Sequence, residues 1–272
     1  MKEIGGYFEL ELASKEECHT SAIKLNSGRN AFKYILKAQN IKKIYIPNFI
    51  CNSIIDPLVE LSISYEFYNI DSNFEIIQEI DLLKDERILY VNYFALKSQY
   101  VKRLADKYQN NLIIDNTQDF FGKPLKNIDT IYSPRKFFGV SDGGYLYANH
   151  LLEGLLPCDE SYIHSVQLLG RADKEASLFY NEYKKAEQRL INQPIKKMSN
   201  LTNKILSSID YESIKQKRKE NFEYLHNELK EINLLENIDI KSTPFIYPFI
   251  TNDAQLREKL IKNKIYIAKY WS

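Results

Sequence analysis

Short apolar runs alternate with helical patterns from about residue 26 to residue 149. The runs are rich in β-branched and aromatic residues and predict strands over residues 43–47, 63–70, 87–94, 111–115, 129–133 and 145–148. Apolar residues at spacings of three and four predict helices over residues 30–39, 52–61 and 98–109. Continuously apolar strands separated by helices indicate a mainly parallel sheet covered on both faces, which is an α/β fold.

The pattern changes after Pro157 to long helical stretches, over residues 161–190, 201–208 and 211–232. Residues 244–250, 253–262 and 265–269 then predict a strand, a helix and a second strand. We therefore expect a large α/β domain over residues 1–235, which includes the helical segment 160–235, and a small C-terminal α/β domain over residues 236–272 that looks incomplete. In the stretch 211–232, apolar residues at helical spacing predict a buried stripe. The stripe consists of Ile214, Phe222, Leu225, Leu229 and Ile232.

Composition and charge narrow the classes of partner. The 272 residues are 44% hydrophobic and 27% charged, which excludes a disordered or collagen-like chain. Lys and Arg number 37 against 36 Asp and Glu, so no overall field attracts nucleic acid or an anionic membrane. No stretch approaches the ~18–20 apolar residues of a membrane span, and acidic residues interrupt the N-terminal apolar positions. We expect a cytoplasmic protein without membrane insertion or a nucleic-acid partner.

The cysteines and histidines do not predict a metal site. Cys18, Cys51 and Cys158 lie far apart and form no CxxC pair, and the four histidines are equally scattered. An odd number of distant cysteines favours reduced thiols over disulfides or zinc ligands. Any ligand chemistry is therefore expected from other residue types.

Four short polar groups are spread over strand ends of the α/β region, where ligands usually bind in such sheets. A glycine turn that opens a helix can hold a phosphate through backbone N–H groups, although most such turns only cap the helix. An aspartate that closes an apolar strand can be functional or can cap the next turn. A single lysine is most often a surface group. The four groups are Asn26-Ser27-Gly28-Arg29-Asn30, Asp115-Asn116-Thr117-Gln118, Ser133-Pro134-Arg135-Lys136 and Asp142-Gly143-Gly144.

Together, and in this order, the groups resemble the sugar aminotransferases of the DegT/DnrJ/StrS type, which are transferases that depend on pyridoxal phosphate. The resemblance begins at Gly5-Gly6-Tyr7-Phe8 and covers nearly the whole chain. It is most specific in two spacings: Gln118 stands three residues after Asp115, and a Gly-Gly pair begins seven residues after Lys136. The family has aminotransferase fold type I, so the resemblance implies a mainly parallel, seven-stranded type of sheet sandwiched by helices.

The resemblance implies a catalytic role for Lys136 with pyridoxal 5'-phosphate as cofactor. Lys136 would form the internal aldimine with the cofactor and would then act as the general base. This chemistry needs a neutral amine, so we expect burial and the charge of Arg135 to lower the pKa of Lys136.

Further residues would hold the cofactor, again by resemblance. Asp115 would keep the pyridine nitrogen protonated, which makes the ring an electron sink. Gln118 would hydrogen-bond the phenolic oxygen of the cofactor. The phosphate would bind the helix start, and a hydroxyl group would add a further contact. The residues expected around the phosphate are Ser27, Gly28, Arg29 and Ser133.

Two positions expected near the cofactor depart from the usual family pattern. Cys51 stands where many members place the aromatic residue that stacks on the cofactor ring, so Phe49 or another aromatic would have to cover the ring. A buried structural thiol explains Cys51 equally well. Asn92 falls where relatives often have a histidine near the cofactor or substrate, although a strand-end asparagine can simply cap the next turn.

The resemblance also implies a homodimer whose active sites lie at the subunit interface. Residues 192–199 resemble the loop that reaches across to the partner subunit, with Lys197 in place of the usual arginine and Ile195 in place of the usual asparagine. Relatives are commonly longer at the C-terminus. We therefore expect either a natural short form or a truncated chain.

Two functions remain open. The first is transfer of an amino group, expected from glutamate, to a keto group of a nucleotide-linked deoxysugar for surface polysaccharide or glycan biosynthesis. The second is a weak or inactive relative that serves as a binding or regulatory protein; the short C-terminus and altered loop favour it, whereas the retained Asp115, Gln118 and Lys136 oppose it. A third reading is sugar dehydration by a related enzyme, which normally needs histidine in place of the lysine. Lys136 argues against it. The motifs of dinucleotide-binding, P-loop and α/β-hydrolase proteins are missing from the sequence.

Overall fold

Seven strands form one sheet in the computed structural model, which describes residues 4–236, 238 and 242–271. They are β1 (Ile23–Leu25), β2 (Lys43–Pro47), β3 (Ser64–Tyr68), β4 (Glu86–Val91), β5 (Leu112–Asp115), β6 (Asp129–Tyr132) and β7 (Gly144–Tyr147). Their order across the sheet is β1-β7-β6-β5-β4-β2-β3. The strands from β3 to β6 pair in parallel, and β7 is antiparallel to both neighbours. The predicted mainly parallel sheet is confirmed.

The helices lie between the strands and after them. They are α1 (Gly28–Ala38), α2 (Asn52–Glu60), α3 (Ser98–Tyr108), α4 (Val166–Asp173), α5 (Tyr180–Gln188), α6 (Asn200–Leu206), α7 (Tyr211–Leu229) and α8 (Leu256–Lys262). In α1, Ser27 caps the helix because its Oγ accepts a hydrogen bond from the backbone N–H of Asn30 at 3.0 Å. Phe32 and Ile35 of α1 are fully buried in the main core. Every residue of β5 and β6 is buried, as expected for strands covered on both faces.

The six predicted strands are all present, with ends that shift by up to three residues, whereas β1 was not predicted. This strand is only three residues long, so its sequence carries almost no period-two signal. Its pairing with β7 in the register Ile23 to Leu146 fixes it as an edge strand. A tertiary contact therefore creates an element that the local pattern does not reveal.

The helical stretch predicted over residues 161–190 is present but interrupted. The chain forms α4 and α5, and Lys174 between them has extended backbone angles of φ −142° and ψ 174°. The ring of Phe179 folds back onto Gly170, where an added Cβ would collide with it. The interruption at Lys174 allows this close approach, and the spacing of apolar residues in the sequence does not reveal it.

The stripe predicted on α7 is also only partly correct. Phe222 is 2% exposed, but Leu225 is 39% exposed and Ile232, which follows α7, is 63% exposed. Arg218 anchors the middle of the helix by donating to the backbone oxygen of Phe245 at 2.8 Å. Only part of the apolar stripe is therefore buried, and its C-terminal end lies at the surface.

The strands predicted over residues 244–250 and 265–269 are wrong: both ranges are fully described, and neither contains a strand. The helix predicted over residues 253–262 is present in part as α8. Phe245, Tyr270 and Trp271 pack against the main core instead of forming a second sheet. The division of the chain into two domains stays a prediction.

A membrane-spanning helix or a metal-binding group of side chains would each indicate a different class of protein. Across the described ranges, none of the helices combines the length and apolar character that a bilayer span requires. Within the same residues, His, Cys, Asp and Glu side chains form no group of three that could hold a metal ion.

Aromatic side chains enclose His19, which is 3% exposed. Its Nε2 lies 2.7 Å from the backbone oxygen of Phe120, and its Nδ1 lies 3.1 Å from the hydroxyl of Tyr147. Since a carbonyl oxygen only accepts hydrogen bonds, Nε2 carries the proton. Burial lowers the pKa of His19 to about 4, so the folded protein holds this ring neutral.

We expect His19 to make the protein less stable as the pH falls below about 6.5, the ordinary pKa of histidine. Below this pH the unfolded chain binds a proton at His19. The folded protein does not bind it until the pH falls to about 4, the pKa of the buried ring. Between pH 7 and pH 5 this effect lowers the free energy of unfolding by roughly 2 kcal/mol. Denaturant unfolding of the parent and of His19→Gln at both pH values measures it, because the variant lacks this titration.

The comparison with His19→Gln is needed because burial raises the pKa of Asp119 to about 7. The folded protein takes up this proton more readily than the unfolded chain, so Asp119 increases stability over the same acid range. Both proteins contain Asp119, and its effect cancels in their difference. An identical pH dependence of unfolding in parent and variant would contradict the prediction.

Candidate active site

The carboxyl ends of β5 and β6 lie beside the start of α1. Gly28 stands between them: a Cβ added there would lie 3.3 Å from Cγ2 of Thr117 and 3.6 Å from Cβ of Ser133. Thr117 follows β5, and Ser133 follows β6. Three of the polar groups that the sequence singles out therefore meet at one edge of the sheet, as the strand order requires.

These groups line a cavity of about 320 Å³. This volume is at the lower end of the roughly 300–1,000 Å³ that is usual for small-molecule sites. The predicted site residues that line the cavity are Ser27, Gly28, Arg29, Cys51, Asp115, Ser133 and Lys136. The lining is completed by Thr117 and Arg135 of the same motifs, by Glu187, Gln188, Leu190 and Ile191 at and after the end of α5, by Trp271, and by the apolar or small residues Ile50, Ser53, Ile54, Val91 and Ile131.

Lys136 projects from the short helical turn Pro134–Lys136 that follows β6. Its Nζ donates a hydrogen bond to Oγ1 of Thr117 at 2.9 Å. The side chain is exposed to solvent in the cavity, although the protein groups that line the cavity replace part of the water around the amine. This loss of hydration lowers the pKa of Lys136; the positive charge of Arg135 also lowers it, and Asp115 and Cys51 oppose the change. The expected direction and both expected causes are confirmed.

Asp115 is the last residue of β5 and is 6% exposed. Its Oδ1 accepts a hydrogen bond from the backbone N–H of Thr117 at 2.8 Å, which fixes the carboxylate at the strand end. The charge of Asp115 acts on the amine of Lys136 in the same cavity. The carboxylate of Asp115 and the amine of Lys136 therefore line the same cavity.

The start of α1 forms the part of the cavity suited to an anion. Gly144 packs against the peptide of Ser27 and Gly28 so tightly that an added Cβ would collide with the backbone of Ser27. Arg29 donates to the backbone oxygen of Leu190 at 2.7 Å and pairs with Asp56 at 3.2 Å, so part of its charge is already balanced.

Three buried N–H groups near this cavity have no hydrogen-bond partner among the described residues. They are the Nε groups of Arg29 and Arg135 and the Nε2 group of Gln118. Arg135 is otherwise paired with Glu187. Leaving a buried donor unsatisfied costs about 1–3 kcal/mol, so an acceptor from a ligand would stabilise each of them.

Gln118 itself does not line the cavity. It is fully buried, and its Oε1 accepts a hydrogen bond from the backbone N–H of Phe94 at 2.7 Å. The geometry therefore uses the amide oxygen of Gln118 in the fold and leaves its N–H as the available donor.

Asn92 and Phe49 are not among the cavity-lining residues. Nδ2 of Asn92 donates to Oδ2 of Asp119 at 2.9 Å, and its Oδ1 accepts from the backbone N–H of Lys97 at 3.1 Å. Asn92 thus has the structural role of holding the next turn, which the sequence left open. Phe49 is directed into an aromatic cluster, with its ring centroid 5.8 Å from that of Tyr93.

Lys197 also lies away from the cavity, and its side chain is exposed. Its backbone pairs with Leu25 of the edge strand β1 and with Cys158. Ile195 is 8% exposed and belongs to the main core. The segment 192–199 is therefore packed along its own chain, and a contact across a dimer stays a prediction.

Thr117 and Trp271 are cavity residues whose roles the sequence did not indicate. Thr117 lies in the predicted strand-end motif, and its position beside Asp115 was the available signal. Trp271 lies far from every motif in the sequence, and no local pattern connects it with the site. Its placement depends on how residues 242–271 pack on the sheet.

The sheet order, the reversed strand β7 and the ligand cavity at the carboxyl ends of parallel strands define the class: aminotransferase fold type I, the fold of pyridoxal-phosphate-dependent transferases. The chain has the fold of the DegT/DnrJ/EryC1/StrS sugar aminotransferases in particular, as solved structures show. The fold implied by the resemblance is confirmed.

Three solved structures illustrate the likeness. An aminotransferase of the DegT DnrJ EryC1 StrS type from Brucella abortus has 14% sequence identity and a TM-score of 0.55 over 92% of this chain and 71% of its own. NtdA from Bacillus subtilis, with the bound cofactor PMP, has 17% identity and a TM-score of 0.60 over 92% of this chain and 60% of its own.

The putative sugar aminotransferase Spr1654 from Streptococcus pneumoniae, in its PMP form, has 14% identity and a TM-score of 0.60 over 92% of this chain and 72% of its own. No protein-family model matches this chain, and no curated protein matches it. At such low identity the likeness establishes the fold, whereas the activity has to be argued from the cavity.

Proposed function

We propose that this chain is a pyridoxal-phosphate-dependent aminotransferase that transfers an amino group to a sugar. In this reaction the amino group of a donor replaces the keto oxygen of an acceptor, and the donor leaves as a keto compound. The observation that carries the proposal is the single cavity that joins Lys136, Asp115 and the start of α1. The amine has a lowered pKa, as a group that must lose and regain protons requires.

The residues of the cavity fit the cofactor in two places. The phosphate fits the start of α1, where the backbone N–H groups and the Nε of Arg29 can donate. The ring nitrogen fits the carboxylate of Asp115. We assign the phenolic oxygen to the unsatisfied Nε2 of Gln118, which is buried outside the cavity lining. When bound, the cofactor supplies an aldehyde that exchanges amino groups and a ring that accepts electrons.

The protein's own groups perform the remaining tasks. Lys136 would hold the cofactor covalently and would move protons at its Nζ, which Thr117 orients through the 2.9 Å hydrogen bond. Asp115 would stabilise a protonated ring nitrogen, because an anion beside a cation favours the charged form. Leu190 and Ile191, together with Trp271, form apolar walls that reduce the access of water.

The finer assignments are part of the same proposal. We propose glutamate as the donor and a nucleotide-linked deoxysugar as the acceptor, in surface polysaccharide or glycan biosynthesis in the cytoplasm. The resemblance of the motifs supports this substrate class, and the shared fold with the putative sugar aminotransferase Spr1654 supports a sugar acceptor.

A homodimer is proposed on the same basis. Large apolar side chains are exposed on the segment that contains α4 and α5, the same segment that supplies Glu187 to the cavity. Such a patch favours association with a second chain. The exposed residues are Val166, Leu169, Leu178, Tyr180 and Tyr183.

The half-reaction tests the proposal. Purified protein is incubated with pyridoxal phosphate, freed of excess cofactor and mixed with L-glutamate. We expect loss of the visible absorbance of the bound cofactor and release of one 2-oxoglutarate per active site, because the amino group remains on the cofactor. A nucleotide-linked keto sugar should then restore the absorbance, whereas the free sugar should be a poorer acceptor.

D-Glutamate serves as the matched control, since it carries the same groups in the wrong geometry. The enzyme proposal would be overturned, and the inactive relative favoured, if the protein kept no cofactor absorbance after incubation with saturating pyridoxal phosphate and removal of the excess. Absorbance without response to glutamate or other amino donors would have the same consequence for the transferase activity.

A further inference from the structure

The cavity contains one aromatic side chain among its described lining residues, that of Trp271. Position 51, where an aromatic ring could have lain, holds the small thiol of Cys51. Phe49 does not line the cavity and stacks on Phe74 with ring centroids 6.3 Å apart. An aromatic surface for a flat ligand is therefore available at Trp271 alone within this lining.

Trp271 is held in place by other aromatic rings. Its ring meets Phe49 edge to face, at a centroid distance of 4.8 Å and an interplanar angle of 76°. Tyr270, next to it, packs edge to face on Phe94 with centroids 5.3 Å apart. Phe94 donates its backbone N–H to Gln118. The indole is thus fixed by contacts that continue into the Asp115–Gln118 motif.

We propose that Trp271 forms the aromatic wall over the pyridine ring of the cofactor. The inference rests on the proposed function and assigns to Trp271 a binding role. A protonated pyridine ring attracts the electron-rich face of an indole, and the contact also removes apolar surface from water. Asp115 and Lys136 would contact the edges of the ring, and Trp271 would cover its face.

Intrinsic fluorescence tests the proposal directly, because the chain contains a single tryptophan. All indole emission therefore reports on position 271. Binding of pyridoxal phosphate to the parent protein should quench most of this emission, and the quenching should follow the same saturation curve as the visible absorbance. In Lys136→Ala, which cannot bind the cofactor covalently, the quenching should need a much higher cofactor concentration.

Variants add an independent measurement. Trp271→Ala should weaken cofactor binding roughly 3- to 10-fold, the effect expected for one lost aromatic contact. Trp271→Phe keeps a flat ring and should recover most of the affinity. Tyr266→Ala is the matched control, since Tyr266 is an aromatic of the same segment but is 73% exposed and outside the cavity. Unfolding temperatures identify any variant that fails to fold.

The outcomes separate this proposal from the proposed function. Visible absorbance that depends on Lys136, combined with unchanged indole emission and unchanged affinity in Trp271→Ala, would overturn the role of Trp271 and leave the aminotransferase proposal intact. If the cofactor gives no absorbance at all, both proposals fail. Quenching of the parent emission shows only that the cofactor lies near Trp271, so the loss of affinity in Trp271→Ala and its recovery in Trp271→Phe are the results that support ring contact. Where Trp271→Ala does not fold, Trp271→Leu takes its place in this comparison.

Discussion

Replacing Lys136 with alanine should lower amino-group transfer by at least about 10²–10⁴-fold, the usual contribution of a positioned general base. The loss should be larger still because this amine also links the cofactor to the protein. Its environment supports both roles: burial and Arg135 lower its pKa, and Thr117 orients its Nζ. The measurement is the rate of 2-oxoglutarate formation together with borohydride trapping and peptide mapping, which should locate the cofactor on residue 136 of the parent.

Two controls define this result. Lys136→Arg keeps a positive charge in the cavity, but a guanidinium stays protonated in proteins and cannot serve as the base, so it should be as inactive as alanine. Lys219→Ala removes an exposed lysine of α7 and should leave the rate unchanged. A cofactor trapped mainly on other lysines, or a rate in Lys136→Ala within a few-fold of the parent, would show that the chemistry lies elsewhere.

Asp115→Asn should lower the rate roughly 10- to 100-fold while the cofactor still binds, since a charged hydrogen bond contributes about 1.5–3 kcal/mol. The asparagine oxygen can still accept from the backbone of Thr117, so the strand end keeps its shape. The negative charge raises the pKa of Lys136, so its removal should lower that pKa further. The pH at which the cofactor absorbance changes should therefore shift to lower values.

Asp119→Asn is the matched control for Asp115→Asn. Asp119 is a buried carboxyl four residues along the chain, but it lies outside the cavity and binds Asn92. Its removal should leave the spectral pH profile unchanged. A parent-like rate and an unshifted profile in Asp115→Asn would show that this carboxylate does not contact the ring nitrogen.

The outcome for the C-terminal region shows where sequence patterns stop being informative. Residues 265–269 have the apolar character of a strand, yet a strand also needs a neighbour whose backbone is free to pair. In the structure the segment is exposed at most positions, and only Tyr270 and Trp271 pack on the core. The same limitation explains the break within residues 161–190, where the ring of Phe179 packs closely on Gly170.

The roles of individual polar residues divide in a similar way. Asn92 ends an apolar strand just as Asp115 does, and the two look equally suited to a ligand in the sequence. The amide of Asn92 is instead hydrogen-bonded to Asp119, Asn116 and the backbone of Lys97. Side-chain direction depends on neighbours that are distant along the chain, so spacing alone could not distinguish these two strand ends.

The sequence by itself determined six of the seven strands and the mainly parallel sheet, and it placed Asp115 and Lys136 at or just after the ends of strands. Strand period and strand-end position are local properties, and parallel strands bring their carboxyl ends to one edge. Only the tertiary structure decided which further groups complete the cavity. Trp271 and Glu187 reach it from segments with no motif, because packing brings together side chains whose separation in the sequence carries no signal.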